Sequence, residues 1–566
     1  MRKVTGAALF AAMALLFLIA NRGAYQGYFS GDDFGNLSWT RHLGLVHVVR
    51  GLAVPSYAHQ NLRPVGYAYF ILLSRTAGLG FPWYVALLHA IHLLNVWVLW
   101  LLLRRLGLGR LAGVVGSLFF AFHMGVFDAY WRPMYIFDVL CALFCLLSLR
   151  CYVSRRWVLS LVCFWLAFRS KELTVMLPAV LTFYEYWLGE KRWKPLVPFW
   201  VVSLVFGTQG LLLSAGTDTE YTFRFSLDAI IETVSFYSSQ LFLLPYAGLA
   251  MLALPLVTRD RRVSLGVVFL CLMPVPVLLM PGRLYGAYLY VPLAGAAIAL
   301  AALVARLKPA YGAAVAAVLF AIWIPWNYSH LRTLRRANLA AAAENRTYVS
   351  TLAEMARGLP EMRTFVYDGF PADLHPWGVQ GALQYLYDRL DLGVYWTEQE
   401  GYEKGFRAER FVMLWWDPVF RTLAVVPRTS TMPDNTYFKI NRNRCQPIWQ
   451  LGEGWHPWEY AFRWIAPYAS ARLRRPAEAR QFELVAQIGP DLIRDLKRTA
   501  VQVFLNGQLL GREEFTADGF YPVRWNLPAG APGPVKVEFR VEPEYRPTRD
   551  SRRMGIAIQG FGFTEN

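Results

Sequence analysis

Charged side chains are scarce in this sequence. They make up 17% of its 566 residues, whereas an ordinary soluble chain carries about 25%. This composition argues against a chain built only of soluble domains. Hydrophobic residues make up 55%, and the excess lies in the first 330 residues, in runs of about 17–22 residues that are long enough to cross a bilayer core. The sequence therefore predicts an integral membrane protein.

Paired cysteines, a cleavage site and internal repeats are also missing from the sequence. Five of the six cysteines lie in or beside apolar runs, only Cys445 lies in the C-terminal region, and no metal-binding or paired spacing occurs. No clean small-x-small cleavage site follows Met1–Ala20, which we interpret as an uncleaved first helix. The inverted repeats and matching broken spans that are typical of transporters are not clearly present.

Positive charge is abundant, with a net charge of +18 and a pI of about 9.6. Lys and Arg gather at the ends of apolar runs, a placement that indicates membrane topology and contact with anionic lipid head groups. We therefore expect membrane lipids as partners, and no nucleic acid.

The positive charges order the apolar runs into about eleven transmembrane helices, with the N-terminus in the cytoplasm. Val65–Leu79 is assigned to the membrane interface, because Arg104, Arg105 and Arg110 would otherwise lie outside. The predicted spans are Val4–Ala20, Trp83–Leu103, Leu111–Phe127, Met134–Tyr152, Trp157–Phe168, Leu173–Leu188, Leu196–Leu213, Ile230–Leu244, Val263–Met280, Tyr285–Val304 and Ala310–Ile324. Arg332, Arg335 and Arg336 then fall outside, and we expect them to begin a helix on the membrane surface.

The last part of the chain is polar and has no predicted span. Arg332–Arg357 has a helical composition, Thr364–Met413 has a mixed α/β pattern, and β alternation begins near Gly454. Asn506-Gly507 predicts a tight hairpin, and the alternation from Val535 to Val541 favours a β-sandwich. The predicted division is 1–330 (transmembrane), 331–450 (extracytoplasmic helix and mixed α/β) and 451–566 (β-sandwich).

Two adjacent carboxylates, Asp32 and Asp33, directly follow the first span. One interpretation is a helix N-cap, because Asp favours that position. The other is a catalytic base, since a carboxylate close to a membrane and to other acids can have a raised pKa and deprotonate a hydroxyl. Both interpretations can hold together. The pair could also hold a divalent cation, although no spacing demands a metal or any other cofactor.

Further ionisable and aromatic residues lie at the outer ends of later spans, where they are functional candidates. Cations at the outer ends of the spans could bind the phosphate of a lipid-linked donor, and acids there could activate or orient an acceptor. The candidates for the donor phosphate are Arg63, Arg132, Lys171 and Arg283, and the candidates for orienting the acceptor or these cations are Asp128, Asp138, Glu172 and Tyr288.

The order of these motifs resembles the GT-C superfamily of membrane glycosyltransferases, in its protein O-mannosyltransferase-like branch, over residues of about 1–330. The motifs are Asp32-Asp33, Arg63-Pro64 after Asn61-Leu62, His89-x-x-His92-x-x-Asn95, Asp128 after Phe122-His123, Lys171-Glu172 and Tyr288-Leu-Tyr-Val-Pro292. The resemblance implies sugar transfer from a polyprenyl-phosphate donor to a protein or glycan acceptor, with an acid of the first outer loop, here Asp33, as the base.

The sequence departs from that branch in three places. Asp128 stands where the branch commonly has Glu, Gly286-Ala287 replaces an acid-arginine pair so that Arg283 becomes the substitute, and no TPR array follows. Two alternatives stay open: a lipid-carrier glycan polymerase or ligase, and a glycolipid transporter or flippase.

The C-terminal sandwich resembles carbohydrate-binding modules of glycosyltransferases. Gly454-Trp455, Glu459, Arg463-Trp464, Asp550 and Met554-Gly555-Ile556 carry this likeness.

For the whole chain, we expect a polytopic α-helical membrane protein, GT-C-like, of the bacterial inner membrane, followed by an extracytoplasmic (periplasmic) α/β region and a β-sandwich.

Overall fold

A computed structural model describes residues 6–54, 63–213, 220–429, 431–440, 446–459, 461–547 and 552–565. Val4, Asn61, Leu62, Cys445 and Asp550, which figure in the sequence predictions, lie outside the described residues. The contacts divide the chain into two compact units. Unit 1 is Met1–Arg346 with Ala372–Leu390, and unit 2 is Thr347–Pro371 with Asp391–Asn566. The three-part division predicted from the sequence stays a prediction.

Unit 1 is helical. Its helices are α1 Gly6–Ala20, α2 Gly31–Arg41, α3 Leu45–Ala53, α4 Pro64–Thr76, α5 Phe81–Arg105, α6 Arg110–Ala121, α7 Asp128–Trp131, α8 Ile136–Val153, α9 Trp157–Phe168, α10 Leu177–Trp187, α11 Val197–Leu213, α12 Leu227–Phe242, α13 Leu254–Thr258, α14 Arg261–Leu272, α15 Val275–Leu278, α16 Pro292–Val304, the first part of α17 Pro309–Gly358, and α18 His375–Tyr387.

Small residues let helices of unit 1 approach closely. A Cβ added to Gly266 of α14 would lie 2.4 Å from the Ala299 nitrogen of α16, and one added to Gly295 would lie 2.5 Å from the Leu270 nitrogen. Backbone contact of this kind is typical of helix pairs in membranes, where van der Waals packing rather than apolar burial drives association.

By length and composition, three described helical segments could cross a membrane: Phe81–Arg105, Pro133–Val153 and Pro309–Gly358. The bent pair Leu227–Phe242 and Ala247–Thr258 would make a fourth if it is one broken span. Four shorter apolar helices are Gly6–Ala20, Arg110–Ala121, Trp157–Phe168 and Pro292–Val304. The chain is thus an integral membrane protein with few full-length apolar helices, and the count of eleven spans stays a prediction.

The predicted separation of two helices between Ile324 and Arg332 is wrong. The eleventh predicted span and the predicted surface helix at Arg332–Arg357 form one continuous helix, α17, with Pro325 in its interior. The alanine-rich composition after residue 337 favours helix, and no glycine separates the two predicted segments. A second prediction was too long, because the run Val263–Met280 is divided between α14 and α15 at Met273-Pro274.

Unit 2 begins with a mixed four-stranded sheet. Its strands are β1 Thr364–Asp368, β2 Gly393–Trp396, β3 Arg410–Asp417 and β4 Thr422–Thr429, in the order β2-β1-β3-β4. β1 runs parallel to β2 and β3, and β4 runs antiparallel to β3. The mixed α/β pattern expected for Thr364–Met413 is confirmed.

Two further sheets with one shared apolar core form the predicted β-sandwich. Their elements are β5 Tyr437–Lys439, β6 Trp455–Glu459, β7 Phe462–Ile465, β8 Tyr468–Arg475, β9 Gln481–Ile488, α19 Pro490–Leu496, β10 Thr499–Leu505, β11 Gln508–Phe515, β12 Gly519–Asn526, β13 Gly533–Glu542 and β14 Ala557–Thr564. The hairpin turn at Asn506-Gly507 is confirmed, with φ of 48° and 81° at its two residues, as a type I′ turn needs.

Candidate functional site

Asp33 lies in the first turn of α2, and its side chain is completely buried. Its Oδ2 accepts hydrogen bonds from the Ser30 backbone nitrogen (2.8 Å) and from Ser30 Oγ (2.9 Å). Its Oδ1 is buried and has no hydrogen-bond partner among the described residues. Burial raises the pKa of Asp33 to about 7, against the lowering effect of the two bonds from Ser30. One oxygen thus fixes the carboxylate, and the other remains available to a proton.

The N-cap interpretation of the two aspartates needs a correction. The cap residue is Ser30, and Asp33 is the third helical residue, which completes a capping box with it. Asp32 is half-buried, and its Oδ1 accepts a hydrogen bond of 2.8 Å from Trp377 Nε1 of α18. The two neighbouring carboxylates therefore have different partners.

Arg132 lies between two carboxylates. Its guanidinium is 3.2 Å from Asp128 Oδ1 and 2.8 Å from Asp373 Oδ1. The Asp373 carboxylate also accepts a bond of 3.3 Å from Asn345 Nδ2, and the Asp373 carbonyl accepts one of 3.1 Å from the Gly31 nitrogen at the start of α2. Burial raises the pKa of Asp128, although Arg132 acts in the opposite direction. Arg132 thereby connects α7 to the chain that precedes α18.

Arg63 and Glu172 form a two-pronged ion pair. Arg63 Nε and Nη2 lie 2.9 and 2.8 Å from the two Glu172 oxygens. Burial alone would raise the pKa of Glu172, but Arg63 holds it below its usual value. The geometry is the fork arrangement that gives arginine–carboxylate pairs their directionality.

Lys171 and Arg283 both contact Tyr288. Lys171 Nζ lies 2.6 Å from both oxygens of Asp138 and 4.3 Å from the centre of the Tyr288 ring. Arg283 Nε donates to the Tyr288 hydroxyl at 2.9 Å, and its Nη1 lies 2.8 Å from Glu220 Oε1. The Lys171–Asp138 pair is buried, whereas the Glu220 side chain is 48% exposed.

The structure brings the ten predicted site residues into one connected network. Each of the four candidate cations contacts one of the four candidate orienting residues: Arg63 with Glu172, Arg132 with Asp128, Lys171 with Asp138, and Arg283 with Tyr288. Tyr135 interacts electrostatically with Asp128, Arg132, Asp138 and Tyr288 and so joins the Arg132 pair to the Lys171 and Arg283 contacts. Asp33 interacts electrostatically with Arg132 and with its neighbour Asp32, which adds both aspartates to the network.

Sequence reasoning missed several members of this network. Ser30 was detectable, because Ser followed three residues later by an acid is a variant of the capping box. Asp373 and Trp377 were not, because they come from a segment predicted to be part of the mixed α/β region and only the fold carries them to α2. Tyr135 and Glu220 carried no local signal of their own.

The histidine motif of α5 has a structural explanation. His92 Nδ1 lies 2.6 Å from the Tyr290 hydroxyl, which also accepts a bond of 3.1 Å from Asn95 Nδ2. His89 Nε2 lies 2.9 Å from the Tyr130 carbonyl. The motif therefore connects α5 to Tyr130 of α7 and to Tyr290, which lies just before α16.

Among the described residues, no group of three His, Cys, Asp or Glu side chains is placed to hold a metal ion. Asp32 Oδ1 and Asp33 Oδ2 each already accept hydrogen bonds from protein donors. The divalent cation at this pair stays a prediction.

No protein-family model and no curated protein matches the chain. The structure is similar to that of ArnT from Cupriavidus metallidurans bound to undecaprenyl phosphate, with a TM-score of 0.48 and 12% identity, over 75% of this chain and 98% of that one. It is also similar to the arabinofuranosyltransferase AftD from Mycobacteria, with a TM-score of 0.46 and 13% identity, over 98% of this chain and 58% of that one. The chain thus spans less than two thirds of the AftD chain.

Proposed function

We propose that this chain is a membrane glycosyltransferase that moves a sugar from a polyprenyl-phosphate donor to a hydroxyl acceptor on the outer side of the membrane. The observation that carries the proposal is Asp33, a fully buried carboxylate of which one oxygen is fixed by Ser30 and the other has no hydrogen-bond partner within the described part of the chain. Its pKa of about 7 suits a general base near neutral pH. The capping box and the catalytic role are compatible, since they use different oxygens.

In the proposed reaction, Asp33 Oδ1 takes the proton of the acceptor hydroxyl group. At the same time, the oxygen of this hydroxyl group attacks the anomeric carbon of the donor sugar. The bond between this carbon and the phosphate oxygen breaks, and the polyprenyl phosphate leaves with the electron pair. The leaving phosphate gains negative charge, so cations that are fixed near it stabilise the transition state more than the ground state.

Arg283 is the strongest candidate for contacting the donor phosphate. Lys171 is already compensated by both oxygens of a buried aspartate, and Arg63 by both oxygens of Glu172. Arg283 instead contacts a neutral phenol and Glu220, whose half-exposed carboxylate gains little from the pairing. The donor phosphate can therefore displace Glu220 from Arg283 at low cost in free energy. Arg132, Lys171 and Arg63 keep their carboxylate partners and act on the phosphate only through their electrostatic field.

The proposal includes the topology predicted from the sequence: eleven spans, a cytoplasmic N-terminus, a bacterial inner membrane and a C-terminal region in the periplasm. It also includes a hexose as the transferred sugar and the O-mannosyltransferase-like branch. Undecaprenyl phosphate, which is bound in the ArnT structure, has the chemistry of the leaving group proposed here.

A transfer assay tests the proposal. The purified full chain is incubated with a panel of radiolabelled polyprenyl-phosphate hexoses and acceptors that carry free hydroxyls. We expect transfer by the wild type and a loss in Asp33→Asn, with Asp388→Asn as the matched control, because the Asp388 side chain is 59% exposed and contacts Arg41 and His42 at the surface. Movement of the intact glycolipid across vesicles without any transfer would instead establish the flippase, and use of a glycan-bearing donor would establish the polymerase or ligase.

A further inference from the structure

We propose that Trp377 and His375, together with Asp32, form a binding subsite for a carbohydrate acceptor beside Asp33. This inference rests on the proposed function and narrows its acceptor from any hydroxyl compound to a glycan.

The platform of the subsite is a stacked pair of rings at the start of α18. The ring centres of His375 and Trp377 lie 4.7 Å apart with an angle of 11° between their planes. The Trp377 side chain is 51% exposed although it lies within a network of buried charges. His375 has φ of 59°, a left-handed conformation that histidine adopts at a cost. The backbone of His375 is thus held in an unfavourable conformation at the residue whose ring stacks on that of Trp377.

Hydrogen bonding fixes the orientation of the indole. Trp377 Nε1 donates to Asp32 Oδ1 at 2.8 Å, which sets the ring next to the pair of aspartates. The exposed indole and the Asp32 carboxylate are thereby presented together.

The position of the platform is also rigid. A Cβ added to Gly31 would lie 2.1 Å from the Leu374 carbonyl oxygen, and one added to Gly378 would lie 2.5 Å from the Gly31 Cα. The backbones of α18 and α2 are therefore in contact. Because the site is already ordered, binding of the acceptor would cost little conformational entropy.

The chemistry of this arrangement matches a sugar ring. A pyranose presents polarised C–H bonds on its face and hydroxyl groups at its edge. The faces of aromatic rings carry negative charge density that attracts such C–H bonds, and carboxylates accept hydrogen bonds from hydroxyl groups. A lipid chain carries no hydrogen-bond donor for the remaining carboxylate oxygens, which is costly, and the side chains of a short Ala-Ser peptide present no flat C–H face to the indole.

Binding to the isolated full-length protein, without donor, tests this subsite. Saturation-transfer NMR is recorded with methyl α-mannoside, methyl β-glucoside, methyl β-galactoside and methyl α-arabinofuranoside, and with the peptide acetyl-Ala-Ser-Ala-amide. We expect at least one glycoside to receive saturation on the protons of one ring face. Trp377→Ala should weaken that binding about tenfold, which corresponds to ~1.4 kcal/mol of lost stacking.

Two variants control for folding and for unspecific effects. Trp377→Phe keeps a ring face but not the indole donor, so it should retain most of the signal, and Trp193→Ala removes a tryptophan of unit 1 that is 66% exposed and should change nothing. Binding of no glycoside, full binding by Trp377→Ala, or saturation of the peptide instead would overturn the subsite. Because donor is absent, glycoside binding that persists in a protein without transferase activity refutes the proposed function and leaves the subsite intact.

Discussion

If Asp33 is the general base proposed above, the burial of its carboxylate sets the pH dependence of the reaction. Burial raises the pKa of Asp33 to about 7. A base acts only when it is deprotonated, so turnover should rise with pH, reach half its maximum near pH 7 and fall as the pH drops below that value. The measurement is kcat between pH 5 and 9 at saturating donor.

Asp33→Asn should lower turnover by roughly 10²–10⁴-fold and remove this rising limb, because the amide has no basic oxygen. The capping contact with Ser30 is kept in part through the amide oxygen, so the thermal midpoint should change little. The surface variant Asp388→Asn provides the comparison. If the limb near pH 7 survives in Asp33→Asn, another group titrates and Asp33 is only a cap.

Glu220 competes with the donor phosphate for Arg283 if the proposed phosphate contact is right. Glu220→Gln should then lower KM for the donor by roughly two- to fivefold, the scale of a partly exposed ion pair, while Arg283→Ala should raise it and slow turnover. Steady-state kinetics at fixed acceptor measure both effects. Weaker donor binding by Glu220→Gln would mean that this carboxylate positions Arg283 rather than occupying the place of the phosphate.

At the level of elements, the contact between α2 and α18 depends on glycine. In Gly378→Ala the new Cβ would lie 2.5 Å from the Gly31 Cα, and backbone cannot yield as a flexible side chain does. The two helices must separate, which should cost about 1–3 kcal/mol of stability and lower activity. Thermal unfolding of the purified protein, followed by intrinsic fluorescence, measures the loss.

Gly35→Ala is the matched control on α2 itself. A Cβ there meets nothing within 4 Å, so the change should be neutral or stabilising by about 0.5–1 kcal/mol, because alanine favours helix over glycine. Equal effects of the two substitutions would show that helix propensity, and not the contact with α18, decides the outcome.

Local chemistry explains which elements were predictable. The hairpin at Asn506-Gly507 and the alternation of Val535, Val537, Phe539 and Val541 depend on neighbours in sequence, and both were predicted. The sequence predicted that the candidate cations and the residues that orient them lie at the outer ends of the spans, but it did not predict which of them form pairs. α18 was not predictable as part of the site, because nothing near His375 in sequence indicates that it packs on a helix more than three hundred residues earlier.

At the level of the whole molecule, the predicted topology can be tested with single cysteines. Gly35, Gly109 and Gly489 suit this test, because an added Cβ at each meets nothing within 4 Å. In a background where Cys271 and Cys445 are serine, an impermeant maleimide added to intact spheroplasts should label Gly35→Cys and Gly489→Cys. Gly109→Cys, next to Arg110, should label only after lysis.

Labelling of Gly109→Cys in intact cells together with protection of Gly35→Cys would show that the orientation is the reverse of the predicted one. It would contradict a reaction on the outer face. The four other free cysteines of the described chain are buried and give a low background.

The chain order of α2 and α18 has a consequence for biosynthesis. Synthesis proceeds from the N-terminus, so Asp33 is made and, in the predicted topology, reaches the outer face long before Ala372–Leu390, the segment of unit 1 that follows β1. Until that segment arrives, Arg132 lacks its Asp373 partner and the Gly31 nitrogen lacks its acceptor. With the function proposed above, a nascent chain that stalls before residue 372 would insert into the membrane but stay inactive, and consumption of the proposed lipid donor would begin only after the chain has been made as far as Leu390.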